Sequence, residues 1–230
     1  MLIDNYFGVI VNVLAISLGG LIGFLLGERI SPKIEKTTMS TLGLVVTLIG
    51  LQMALETQNT IILTISLVLG GIVGEILNIE GNLLRWGQAV EKRFKNKKGN
   101  LANAFVFATL LYGVGAMAIM GSLESALTGK HSILFTKALL DGVTAVAFAA
   151  TMGIGIILSS FSILLYQGSL VFLAQNIAPY LTAGVTSEMT AVGGVLIITI
   201  GLNILKLIKI PVANLLPAIP LNIILVLLIL

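Results

Sequence analysis

The chain has 230 residues, 57% hydrophobic and 10% charged, with a mean hydropathy of +1.09 and a formal charge of +3. A water-soluble chain carries about 25% charged residues, so this composition cannot cover a hydrated surface and the lipid bilayer is the expected solvent. With no cysteine and one histidine, His131, disulfides, thiolate metal sites and cysteine nucleophiles are excluded.

Apolar runs of about 20 residues cross a hydrocarbon core as helices. Taken along the chain, they predict spans over 7–27, 40–55, 60–78, 101–123, 137–159, 161–178, 189–206 and 211–230. The first run has no basic leader and no Ala-x-Ala cleavage site, and it reads as a retained helix. The stretch 138–178 has no Lys, Arg or Glu and is twice too long for one span, with Ser159 and Ser160 as the expected turn. Pro211, Pro217 and Pro220 break the first half of the last segment, so seven spans is the alternative count. The expected fold is an all-α, polytopic transmembrane bundle, residues 1–230 forming one membrane domain.

The basic residues give an independent check, because cytoplasmic loops are rich in Lys and Arg. Arg29, Lys33 and Lys36 follow the first span, six residues from Arg85 to Lys98 follow the third, and Lys206 and Lys209 follow the seventh. With eight spans all of these fall on one side, and both termini lie outside the cytoplasm. Only Lys130 and Lys137 fall on the other side. Residues 79–100 form a basic cytoplasmic connection, helical around Leu83, Leu84, Trp86 and Val90, that suits an anionic lipid surface or a partner protein. Basic loops between spans set orientation and do not indicate a nucleic-acid partner.

Two spans share a pattern. Gly43-Leu-Val-Val-Thr-Leu-Ile-Gly50-Leu51-Gln52 in the second matches Gly194-Val-Leu-Ile-Ile-Thr-Ile-Gly201-Leu202-Asn203 in the seventh. Those spans run in opposite directions, so an inverted repeat is one explanation. Close helix packing is the other, since glycines seven apart share a face. Leu18-Gly-Gly-Leu-Ile-Gly23 and Leu69-Gly-Gly-Ile-Val-Gly74 form a second echo, read as a packing motif.

A charge at mid-bilayer costs about 3 kcal/mol on insertion scales, so each intramembrane polar residue needs a reason. The candidates are Asp141, Gln167, Glu75, Asn203, Gln52, Asn214 and Asn12. As a site, they suit a monovalent cation, a proton or a small polar solute, and the absence of a deep basic residue argues against anions. As structure, Asp141 is a carboxylate near a helix N-terminus with Lys137 one turn away. Glu75 reaches the cytoplasmic interface or pairs with Arg29 or Arg85, and the amides bond across helices. Glu124, Glu188 and His131 read as loop residues. No hydrolase elbow, zinc motif, phosphate loop or acidic metal cluster is present, so no enzyme activity and no cofactor are expected.

Tyr112-Gly-Val-Gly-Ala-Met-Ala-Ile-Met-Gly-Ser122, Lys137-Ala-Leu-Leu-Asp141-Gly-Val-Thr, Tyr166-Gln-Gly-Ser169, Val192-Gly-Gly-Val-Leu-Ile197, Gly201-Leu-Asn203 and Val212-Ala-Asn-Leu-Leu-Pro217 follow one another in order. Together they resemble the bacterial membrane-protein family catalogued as domain of unknown function 554. The resemblance implies a multi-pass protein of the bacterial cytoplasmic membrane and assigns no substrate. Its motifs include Asp141, Gln167, Asn203 and Asn214. Members often have a cysteine where this chain has Tyr112, so no redox role carries over. The expected function is a transporter or channel for a small solute or cation. The alternative is a membrane scaffold using residues 79–100 as its contact surface. Beyond lipid and solute, a second copy of the chain is a candidate partner.

Overall fold

The computed structural model describes residues 2–27, 31–85 and 101–229. These form α1 (Leu2–Gly27), α2 (Pro32–Ala54), α3 (Thr60–Ile76), α4 (Ile79–Arg85), α5 (Leu101–Gly113), α6 (Ala116–Thr128), α7 (Ser132–Met152), α8 (Gly155–Ile177), α9 (Ala183–Ile204) and α10 (Ala218–Ile229), with a 3-10 turn at Val212–Leu215. Among the described residues there is no strand. Among the described residues, six segments are long and apolar enough to cross a membrane, or up to eight if the bent pairs α3–α4 and α5–α6 each count as one span. Large apolar side chains on their outer faces, such as Leu139, Phe172 and Leu228, are exposed, as a lipid-facing surface requires.

Contacts divide the chain into two compact units, Met1–Glu35 with Glu91–Pro179, and Lys36–Val90 with Tyr180–Leu230. In the first, α1 and α7 run parallel and in close register. A Cβ at Gly19, Gly23 or Gly27 would strike the backbone carbonyl of Gly142, Val146 or Ala150 respectively. Glycine at every fourth position thus brings two backbones into contact. Helices α5 and α8 run the other way: Phe107 of α5 packs on Phe148 of α7, and Asn12 of α1 bonds Gln167 of α8.

In the second unit α3 and α9 run one way and α2 and α10 the other. Gly70 and Gly74 of α3 abut the backbone of Ala218 and Asn214, and Ile62, Val185 and Val226 cluster where α3 and α9 begin and α10 ends. The matched glycine motifs meet each other. Gly50 lies against Gly194 and Ile198, and Gly201 lies against Thr47 and Gly43, in antiparallel register. Close packing therefore explains these glycines, as it explains Gly19, Gly23, Gly70 and Gly74.

Several boundaries differ from expectation. The turn between the fifth and sixth spans is at Gly153, whose φ of 81° suits glycine, and not at Ser159–Ser160. Those serines sit inside α8, their hydroxyls donating to the carbonyls of Ile156 and Ile157. The fourth span is two helices bent by 56° around Gly115, with φ of 152°. The last segment breaks where its prolines predict, and Pro220 falls in the first turn of α10, where its missing N–H costs little.

Glu188 is not a loop residue. It is buried on α9 and accepts from the Thr57 hydroxyl and the N–H groups of Gln58 and Asn59, pinning the α2–α3 connection. Asn59 in turn caps α3. Glu124 belongs to α6 and accepts from Ile133 N–H and the Ser132 hydroxyl at the start of α7. Of the basic connection, Arg85 bonds Gly81 and Asn82, while Trp86, Val90 and Lys92 to Lys98 lie outside the described residues.

Candidate functional site

The first unit gathers polar side chains from four helices. Asn12 of α1 and Gln167 of α8 are both fully buried, and Asn12 Nδ2 donates to Gln167 Oε1 at 3.3 Å. Asp141 and Lys137 lie one turn apart on α7, 6% and 7% exposed. Lys137 Nζ donates to Asp141 Oδ1 at 3.0 Å and lies 2.8 Å from Oδ2. Asn12 faces Asp141, and Tyr112 of α5 faces Thr144 and Asp141.

These positions follow from helix spacing. Residues 137, 141 and 144 share one face of α7, and the same parallel packing that brings α1 to α7 carries Asn12 beside them. Because α7 begins at Ser132, Asp141 is its tenth residue, at mid-helix. The reading of Asp141 as a carboxylate near a helix N-terminus is thereby corrected. So is the placing of Lys137 at the outer edge of the fifth span, and with it the statement that no basic side chain lies deep in a span. A lysine in the second turn of an apolar helix is tolerated because its i+4 neighbour is a carboxylate.

Burial without partners distinguishes this cluster. Asn12 Oδ1, Gln167 Nε2 and Tyr112 Oη are buried and lack a well-directed hydrogen bond from the protein, as does Thr109 Oγ1 one turn before Tyr112 on α5, whereas Asp141 Oδ2 has Lys137 Nζ at 2.8 Å. Native interiors satisfy the great majority of such atoms. In the second unit only Thr186 Oγ1 and Asn222 Oδ1 share this state among the described residues. Asn222 donates to Ser66 at 3.2 Å.

The remaining candidates belong to the second unit, and most are committed to structure. Asn214 Nδ2 donates to Glu75 at 2.6 Å, Asn214 Oδ1 accepts from Glu80 N–H, and Glu80 accepts from Ala213 N–H, fastening the 3-10 turn to the α3–α4 bend. Arg85 does not pair with Glu75, and Arg29 lies outside the described residues. Asn203 accepts from Ile210 N–H and donates to Ile210 O, closing the loop after α9. Gln52 is exposed at the end of α2. The antiparallel register of α2 and α9 sets Gln52 and Asn203 at opposite ends of the pair, so the matched amides do not form one site. Sequence reasoning missed Lys137 and Tyr112 as members of the cluster, although the Lys137–Asp141 spacing carried the signal.

Comparison with known proteins agrees with this architecture. The chain is 33% identical over 216 residues to the uncharacterized membrane protein YdfK of Bacillus subtilis, covering 92% of each chain. It is 30% identical over 216 residues to the uncharacterized protein YqgA of Escherichia coli, again covering 92% of each. No solved structure matches the chain. The model of the protein family of unknown function DUF554 matches residues 7–227, and the chain belongs to that family.

Proposed function

We propose that the chain transports a small polar solute across the bacterial cytoplasmic membrane through the cluster of Asn12, Lys137, Asp141 and Gln167. The observation that carries this reading is the set of three buried polar atoms, Asn12 Oδ1, Gln167 Nε2 and Tyr112 Oη, left without a well-directed protein hydrogen bond. Structural glue would pair its donors and acceptors with one another. Groups kept unpaired inside a bilayer are costly and mark a path or a binding position.

Two further observations support it. The helix breaks at Gly115 and in the 212–217 region resemble those that let transporters change shape around a midplane site. The matched motifs of α2 and α9, which pack antiparallel, are also the pattern that an inverted repeat gives. On this reading the loops after the first, third and seventh spans face the cytoplasm, and both termini lie outside.

The test is flux in proteoliposomes with a panel of ions and metabolites. Asn12→Leu, Asp141→Leu and Gln167→Leu each lower flux at least tenfold while the protein still purifies as a folded species. Absence of flux for the wild type across the panel removes the proposal and leaves the membrane scaffold. A pull-down that depends on Lys92 to Lys98 would then identify that role.

A further inference from the structure

The polar cluster has a fixed charge balance. Lys137 Nζ is 2.8 Å and 3.0 Å from the two carboxylate oxygens of Asp141. The pair sums to zero whether the shared proton sits on the amine or on the carboxylate. The other members, Asn12, Gln167, Tyr112 and Thr144, are uncharged groups.

A bare monovalent cation gains from a carboxylate only when that carboxylate is not already neutralised, and here any ion at Asp141 Oδ2 also feels the ammonium close behind it. An anion at Lys137 meets Asp141 in the same way. What the cluster does present is a matched set of hydrogen-bonding atoms. Gln167 Nε2 and the Tyr112 hydroxyl lack a well-directed acceptor, while Asn12 Oδ1 is an acceptor without a donor. A ligand that satisfies both sets offers donors and acceptors together.

From this geometry we infer that the solute carries no net charge and bears both a donor and an acceptor, as small amides, polyols and zwitterions do. The inference rests on the transport reading above and narrows it. It moves the assignment away from cations, which the intramembrane carboxylates and amides had suited when no basic residue was placed beside them.

The experiment uses the full chain in proteoliposomes with glycine, urea and glycerol as neutral probes and rubidium and chloride as ionic ones. At least one neutral probe crosses tenfold faster than in protein-free vesicles, while both ions stay at the protein-free rate. Lys137→Gln leaves Asp141 unbalanced and raises rubidium flux at least fivefold, whereas Lys137→Arg keeps the pair and the wild-type selectivity. Ion flux above background in the wild type overturns the inference, whether or not a neutral probe also crosses. So does a folded Lys137→Gln protein that excludes rubidium like the wild type.

If no probe crosses, the transport reading has failed and thermal unfolding of the detergent-purified protein decides the charge assignment. Stabilisation by glycine, urea or glycerol that Gln167→Leu abolishes supports it. Stabilisation by rubidium that Asp141→Asn abolishes overturns it, as does no specific effect of any probe.

Discussion

Gly50 of α2 and Gly194 of α9 face each other so closely that a Cβ placed on either meets the other's carbonyl oxygen. Two turns away a Cβ on Gly201 meets Thr47 and the carbonyl oxygen of Gly43, while one on Gly43 meets the side chains of Leu205 and Ile204. The pair of helices is therefore fixed in register at two points, and neither point has room for a methyl group.

Alanine at Gly194 forces α2 and α9 apart and destabilises the protein by about 1–3 kcal/mol, the ordinary cost of overpacking. Gly23→Ala on α1 does the same to the α1–α7 contact. Gly168→Ala is the control, since its added Cβ has only Tyr6 near it, at 3.9 Å. Thermal unfolding in detergent separates them: the first two lower the midpoint by several degrees and the third leaves it in place.

The Lys137–Asp141 pair gives a reciprocal result. Removing one partner, as in Lys137→Met or Asp141→Leu, leaves the other charge buried and costs about 3–5 kcal/mol. The double variant Lys137→Met with Asp141→Leu has no buried charge and recovers most of that stability. It does not recover flux. A double-mutant cycle on unfolding, read beside proteoliposome assays, measures both. Equal loss of stability in the double and single variants would contradict the ion-pair description.

Glu188 holds three donors from residues 57–59, so Glu188→Ala leaves them without a partner at a cost of about 2–3 kcal/mol. The loss is local. Hydrogen exchange at Gln58 and Asn59 speeds up at least tenfold, while exchange in α1 and α7 is unchanged.

The paired amides of the second and seventh spans behave differently from each other. Asn203→Leu opens the Ile210 contact and costs about 1 kcal/mol, whereas Gln52→Leu, at an exposed position, shifts stability by less than about 0.5 kcal/mol. Neither changes flux by more than twofold. A large loss of flux in both would restore them to the site.

Helical class and the positions of the six to eight candidate spans were legible because the hydrocarbon thickness imposes a length and the charges collect between the runs. The prolines of the last segment announced its break for the same local reason. Asn12, Asp141 and Gln167 were legible as polar interruptions, and they do converge. What could not be read was pairing. Lys137 looked like the outer edge of its span because its distance from the helix start depended on where α7 begins, and that start is set by Glu124 accepting from Ile133 N–H and the Ser132 hydroxyl. Glu188 looked exposed because its three partners lie about 130 residues earlier. Ser159 and Ser160 looked like a turn because a serine that bonds back to its own helix has the same letter as one that does not.

The partnership of α1 with α7 has a consequence for biosynthesis. At typical synthesis rates of 5–20 residues per second, the stretch between Gly27 and Ser132 takes roughly 5–20 s to make. Throughout that interval the first helix is in the bilayer with its glycine-lined backbone facing lipid or insertion machinery, because its mate has not yet been translated. The nascent chain must therefore pass through a half-built state in which the most intimate contact of the finished first unit does not exist.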